Sequence, residues 1–350
     1  MENVSTAETT VGIDLGDRQS RVCILSAEGE VREEGWIATT EAALVPRFRA
    51  MARARIVMEV GTHSPWVSRL LQAAGHEVIV ANPRQLRLIT HSSTKTDRND
   101  AEILARLGRA DPELLKPVAH RRKEAQADLA VLRSRQALVA SRTLLINQVR
   151  GTVKTVGGRL PACDAHSFHR KVLVHVPMEV REAVLPLIET IAELSQRIRD
   201  VDGRLDELIE ERYPQAKLLQ QVLGVGPIIS LTFVLTIDDP KRFTRSREVG
   251  AYLGLTPRQH QSGERNPQLH ITKTGDSSLR SLLIQGAHYI LGWRGPDSDL
   301  RKWGLARMER GGGNAKKCAI VAVARKLAIL LHHLWVSGEA YRPLREVPAV

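Results

Sequence analysis

The sequence predicts an α/β domain on a mixed sheet, then a long antiparallel helical arm, then a mainly helical C-terminal domain. Three observations carry this. Strand and helix patterns alternate over residues 11–118, apolar residues recur at four-three spacing from Val180 to Leu208, and the remainder is apolar helical sequence punctuated by glycine. The 350 residues hold 43% hydrophobic side chains, enough to bury real cores. Residues 1–10 are expected to be a disordered N-terminus.

The segment "VGIDLGDRQSRVCIL" reads as a strand, a tight polar turn and a second strand. "EVREEGWIAT" follows as a third strand, "EAALVPRFRAMARA" as a helix and "RIVMEV" as a fourth strand. "SPWVSRLLQAAG" is then a helix, "HEVIVANP" a strand and "DRNDAEILARLG" a helix. Three meandering strands followed by βα units are the element order of an RNase H-like (RuvC-like) fold, although order alone admits other α/β folds.

From about Ala119 to Arg212 the periodicity becomes that of a coiled-coil arm. The predicted seam is Val180, Val184, Leu187, Ile191, Leu194, Ile198, Val201, Leu205 and Leu208. An earlier helix carries the broader stripe Leu132, Val139, Ile146 and Val153, and "GGRLPACDAHS" turns the chain back. Pro186 is expected to start the second helix late or to kink it. An ordinary helical bundle is the alternative. The C-terminal domain is placed at 213–345, where "LLQQVLGVGPIISLTFVL" sets Gly224 and Gly226 between two apolar helices, like a helix-hairpin-helix. Free N–H groups at the second helix could hold a phosphate there, and a plain helix–helix turn explains the glycines equally well.

The 51 Lys+Arg against 39 Asp+Glu give a formal charge of +12, which favours a polyanionic partner, nucleic acid before membrane. Aromatic residues are only 4%, so phosphate contacts rather than base stacking should dominate. Cys23, Cys163 and Cys318 are too far apart to suggest a disulfide framework or a zinc site, in keeping with a reducing cytoplasm. The N-terminus shows no basic-then-apolar leader. The longest apolar stretch, "CAIVAVARKLAILLHHLW", is broken by Arg325 and Lys326, so no membrane span is expected.

An aspartate inside an apolar strand needs a reason, because a buried charge is costly without a partner or a metal. In an RNase H-like sheet the first and fourth strands are neighbours, which would set Asp14 beside Glu59. Asp97 and Asp100, three apart at a helix start, would project toward the same sheet end. Four converging carboxylates require cations, and hard oxygen ligands select Mg²⁺ or Mn²⁺. The plainer readings are a helix cap for Asp97 and Asp100, a strand end for Glu59, and a phosphate hairpin of an actin- or Hsp70-like ATPase for Asp14. The ATPase reading demands a second βββαβα half, where this chain turns helical instead. In the last domain Ser262, flanked by Arg258, His260 and Arg265, is placed as a nucleophilic hydroxyl beside phosphate-binding cations, or else as a turn residue. "TKTGDSSLR" opens a helix capped by Asp276 or Ser277, leaving Lys273 and Arg280 for backbone contacts.

"GIDLG", "MEVG" and "KTDRNDA", with "LLQQVLGVGPIISL", "GAYLGLTPRQHQSG" and "ITKTGDSSLR", closely resemble the DEDD transposases of bacterial insertion sequences. The resemblance implies a RuvC-like domain whose metal-binding tetrad is Asp14, Glu59, Asp97 and Asp100. It also implies a C-terminal transposase domain whose serine, by motif position Ser262, becomes transiently joined to DNA. It further implies action on element ends and target DNA, guidance by a structured bridge RNA, and homodimers that pair into tetramers, in the bacterial cytoplasm at the nucleoid. Where relatives carry "SSGG", this chain has "QSGE", which leaves Ser277 and Ser278 as alternatives. A RuvC-like Holliday-junction nuclease using water alone, and a non-catalytic nucleic-acid-binding protein, are the competing functions.

Overall fold

The computed structural model describes residues 9–82, 97–261, 267 and 269–344, with the Asp97 side chain outside that set. The chain divides into two compact units, Met1–His120 and Arg121–Val350.

In the first unit β1 (Thr10–Asp14), β2 (Gln19–Leu25), β3 (Val31–Ala38), β4 (Arg55–Glu59) and β5 (Glu77–Ala81) form one sheet in the order β3-β2-β1-β4-β5. The first three strands are antiparallel neighbours, while β4 pairs with β1 and β5 in parallel. The intervening α1 (Glu41–Arg49) and α2 (Ser64–Ala73) lie in the crossovers that parallel pairing requires, and α3 (Asp97–Ala110) follows the last strand. Both faces are covered, so the central strands read as continuous apolar runs. Val11, Ile13, Ile56 and Met58 point into a core with Leu44, Phe48, Val67 and Leu71. On the opposite face Val57, Ile79 and Ala81 pack with Leu104 and Leu115, and Cys23 and Leu25 pack with Ala101 and Ala105. Burial, and secondarily Glu34, pushes the Cys23 thiol up to about 11, so it stays protonated.

In the second unit two long helices, α4 (Lys123–Thr155) and α6 (Met178–Glu211), flank a turn that carries the short α5 (Phe168–Val172). Their contacts pair Asp128 with Arg212, Arg135 with Asp202, and Arg142 with Ser195. One numbering rises as the other falls, so the helices are antiparallel. The buried residues of α6 include Val184, Ile188, Ile191, Ser195, Ile198, Leu205 and Ile209, and Asp202 joins the same four-three row through its bond to Arg135. The row is one position off the expected seam at Leu187, Leu194 and Val201, which are only half-buried. Two of its members are polar and bonded to arginines of α4, and an apolar-only search steps around them. Pro186 does not delay the helix, which begins at Met178.

At the base of the arm, buried Asp128 accepts from the Tyr213 hydroxyl at 2.6 Å and from Arg212 at 3.1 Å. Burial, together with the bond to Asp128, pushes the Tyr213 phenol well above its ordinary value. Asp128→Ala strands that phenol in the core and is expected to cost about 2–3 kcal/mol, measured as a lowered urea midpoint, against about 1 kcal/mol for Tyr213→Phe.

Past the arm come α7 (Pro214–Leu219), α8 (Pro227–Ile237), α9 (Glu248–Tyr252), α10 (Ser277–Leu291), α11 (Asp299–Glu309) and α12 (Ala315–Ser337). Phe233, Val249, Leu279, Leu283, Val323, Leu327 and Leu331 build their shared core with Leu132, Leu205 and Leu208 of the arm. Helix α12 is long and apolar enough to cross a membrane by length and composition, and half of that window is buried in this core.

Candidate active site and motif loop

The first site grows from strand register. Thr10 pairs with Arg55 and Ile13 with Met58, so Asp14 and Glu59 end adjacent parallel strands, both half-buried. Side chains alternate faces along a strand, which puts Asp14 with Gly12 and Glu59 with Val57, on the side covered by α3.

Helix α3 lies close to that side because Gly12 has no side chain. A Cβ there would stand 1.9 Å from the Ala101 carbonyl oxygen and 2.7 Å from the Ala105 nitrogen. Further along the helix, Gly108 sits against Val57, and its carbonyl accepts from Arg55 at 3.1 Å. The helix therefore runs against the strand direction. Its C-terminal half lies over the strand starts, which brings its first turn to the ends that carry Asp14 and Glu59. Asp100 belongs to the buried stripe Ala101, Leu104, Ala105 and Gly108, and is itself only 7% exposed. Asp97 opens the helix, so Asp100 lies within the first turn rather than at the cap.

Asp14, Glu59 and Asp100 thus share one sheet end, and the Asp97 side chain lies outside the described residues. Their hard oxygen donors fit Mg²⁺ or Mn²⁺. Among the described residues, no three acidic, histidine or cysteine side chains stand close enough to form a finished metal site. Sequence reading missed a clip at this edge. His63 bonds Asp17 at 3.3 Å and accepts from the Trp66 indole at 3.1 Å, tying the turn after β1 to the loop after β4. Its only advance signal was polar residues three and four positions beyond Asp14 and Glu59.

Ser262 lies outside the described residues, and the structure describes a base formed by the chain on either side of it. Pro257 bridges Ile271, the Arg258 amide donates to the His270 carbonyl at 2.9 Å, and Thr272 donates to Thr256 at 2.9 Å. Gly254, at φ +66°, presses its α-carbon against Thr274, where a Cβ would stand 2.3 Å from the amide nitrogen. Gly275, at φ +70°, does the same against the Tyr252 carbonyl, at 2.1 Å. Arg280 donates to the carbonyls of Leu253 at 3.1 Å and Thr274 at 2.7 Å, both from Nη1, so its guanidinium braces this base. Lys273 and Arg258 are exposed. Asp276 caps α10 through the Leu279 amide at 2.9 Å and is paired with Arg133. Ser278 is buried and donates to Gln136, which removes it as an accessible nucleophile, whereas Ser277 is exposed.

Gly224, at φ +96°, packs against Tyr289, Ile290 and the Gly286 carbonyl of α10, and Gly226 precedes Pro227 at the start of α8. Gly224 is required by that close approach whether or not the turn meets a phosphate. The turn borders an open groove of about 430 Å³ with Leu223, Gln285 and Tyr289.

Residues 11–157 match a family model described as a transposase, DEDD_Tnp_IS110, and residues 216–302 match one described as the transposase IS116/IS110/IS902 family. A probable family 20 transposase of Pseudomonas aeruginosa is 30% identical over 307 residues, covering 85% of this chain and 88% of that protein. The transposase for insertion sequence element IS1111A of Coxiella burnetii is 29% identical over 340 residues, covering 95% and 91%. A pilin gene-inverting protein of Moraxella bovis is 25% identical over 335 residues, covering 92% and 94%. These matches, with which the mixed sheet is compatible, define a transposase, an enzyme that cuts and rejoins DNA. The chain belongs to the IS116/IS110/IS902 family of transposases.

Proposed function

We propose that this transposase is a site-specific recombinase that uses a Mg²⁺-dependent DEDD site and a serine nucleophile, guided by a structured bridge RNA. The observation that carries the metal part is the direction of α3, which brings Asp100 to the sheet end shared by Asp14 and Glu59. With Asp97 they would hold one or two divalent ions, which when bound supply Lewis-acid stabilisation of the charge that builds on a phosphodiester. The RuvC-like unit is the metal-bearing one, the arm pairs subunits into dimers and tetramers, and the C-terminal unit presents the serine.

Ser262 Oγ attacks phosphorus, forming an Oγ–P bond as the bond from phosphorus to the leaving deoxyribose oxygen breaks. The serine proton passes to a base and the sugar oxygen is released as a hydroxyl. Attack by a hydroxyl of the incoming strand reverses the exchange and frees the serine. The phosphodiester bond energy is retained throughout, so rejoining needs no nucleotide hydrolysis. The base at Gly254 and Gly275 supports the serine reading because it fixes the chain on either side of the segment that bears Ser262. Arg258 and Lys273, beside that base, and the turn at Gly224 and Gly226 would take backbone phosphates, and the chain's charge of +12 suits contact with both DNA and RNA.

The test is a covalent adduct. Labelled substrate incubated with Mg²⁺ and denatured in detergent is expected to migrate with wild-type protein and to run free with Ser262→Ala, which still binds DNA. Cleavage by both proteins without any adduct would instead establish hydrolysis by water.

A further inference from the structure

We propose that the turn at the far end of the α4–α6 arm is a second DNA-binding site, which holds the phosphate backbone of a duplex. A cavity of about 540 Å³ there is lined by Arg150, Lys154, Gly157, Gly158, Arg159 and Leu160. Three of those six residues are cations and none is acidic. Among the described residues, Lys154 and Arg159 form no ion pair, and both are exposed.

Arg150 is held in place. It donates to the carbonyls of Leu160 at 3.3 Å and Pro161 at 3.0 Å, and its guanidinium lies 5.1 Å from the centre of the Phe168 ring. A cation fixed this way loses little freedom on meeting a phosphate. A lysine in the last turn of a helix is explained in part by the helix dipole. Arg159 lies beyond the helix end and has no such role. The rest of the turn adds Arg170, Lys171, His166, His169 and His175 against the single carboxylate Asp164.

The site takes a paired duplex rather than unpaired bases because the aromatic ring here, Phe168, is fully buried and offers no stacking face. Lys154 is 26 residues along α4 from the anchor at Asp128, which at 1.5 Å per residue is roughly 40 Å. The base beside the Ser262 motif meets α4 at Arg133 through Asp276, so a duplex held at the far turn would be gripped at a distance from that base, and this contact should add affinity without touching the serine chemistry.

The experiment measures binding of the full-length protein to a long DNA duplex and to a structured RNA, by fluorescence anisotropy across a salt series. Lys154→Glu with Arg159→Glu is expected to weaken duplex binding roughly tenfold and to lower the slope of log affinity against log salt by about two. The milder Lys154→Gln with Arg159→Gln should lower the slope similarly without reversing charge, and both proteins should melt at the wild-type temperature. Cleavage of a short duplex confined to the catalytic centre should be unchanged, which separates this site from the serine and metal chemistry. An unchanged duplex slope in the glutamine variant, or a loss confined to RNA, overturns the proposal.

Discussion

Asparagine in place of Asp100 is expected to leave the protein folded and DNA-bound while lowering strand cleavage about a thousandfold or more, equivalent to roughly 4 kcal/mol of transition-state stabilisation. Asparagine keeps the shape of aspartate in the buried stripe of α3, so packing on Gly12 survives and only the charge is lost. The same substitution at Asp14 should behave alike, since that residue ends β1 at the same place. The measurement is single-turnover cleavage over a Mg²⁺ series, with thermal melting in parallel. If Asp100 served only the helix, the variant would melt earlier and cleave at the ordinary rate per folded molecule. That outcome would remove Asp100 from the metal-binding set.

The second large effect is steric. Gly12→Ala puts a methyl group 1.9 Å from a carbonyl oxygen in the first half of α3, and both sides of the clash are backbone. No rotamer can relieve it, so the helix must lift from the sheet. We expect a loss of about 3 kcal/mol or more in a denaturant titration, together with loss of cleavage as Asp100 moves away from the strand ends. Gly203→Ala is the control. It lies within α6 with nothing within 4 Å of the added methyl, and should stabilise by roughly 1 kcal/mol.

The sheet was legible because strand patterns declare themselves by alternation and by turn residues, and because parallel crossovers leave few topologies. Once β1 and β4 are neighbours, Asp14 beside Glu59 follows from counting. The closeness of α3 was not legible as a distance, since Gly12 reads as an ordinary small residue until the helix is seen above it. The seam of the arm was misread for a related reason. Ser195 and Asp202 lie in the row facing α4, but polar side chains are skipped when only apolar spacing is counted, and their arginine partners lie 53 and 67 positions away.

Asp100 and Asp128 show where such reading stops. Each is a carboxylate on the buried stripe of a helix, with nearly the same sequence signature. Asp128 meets Arg212 and a tyrosine hydroxyl and holds the fold, while Asp100 shares its end of the sheet with two more carboxylates. Only the long-range neighbours separate a structural acid from a candidate catalytic one. Arg280 makes the same point for cations. Its sequence context suggested a strand contact and gave no sign of the two carbonyls, of Leu253 and Thr274, that it braces.

The interlock of Gly254 with Thr274 and of Gly275 with Tyr252 has a consequence for how this enzyme could be altered. These contacts join the chain before Ser262 to the chain after it, so the mount is held by residues on either side of the segment that bears the serine. The mount behaves as a socket, and a cassette from a related transposase could be exchanged there while the surrounding helices keep their packing.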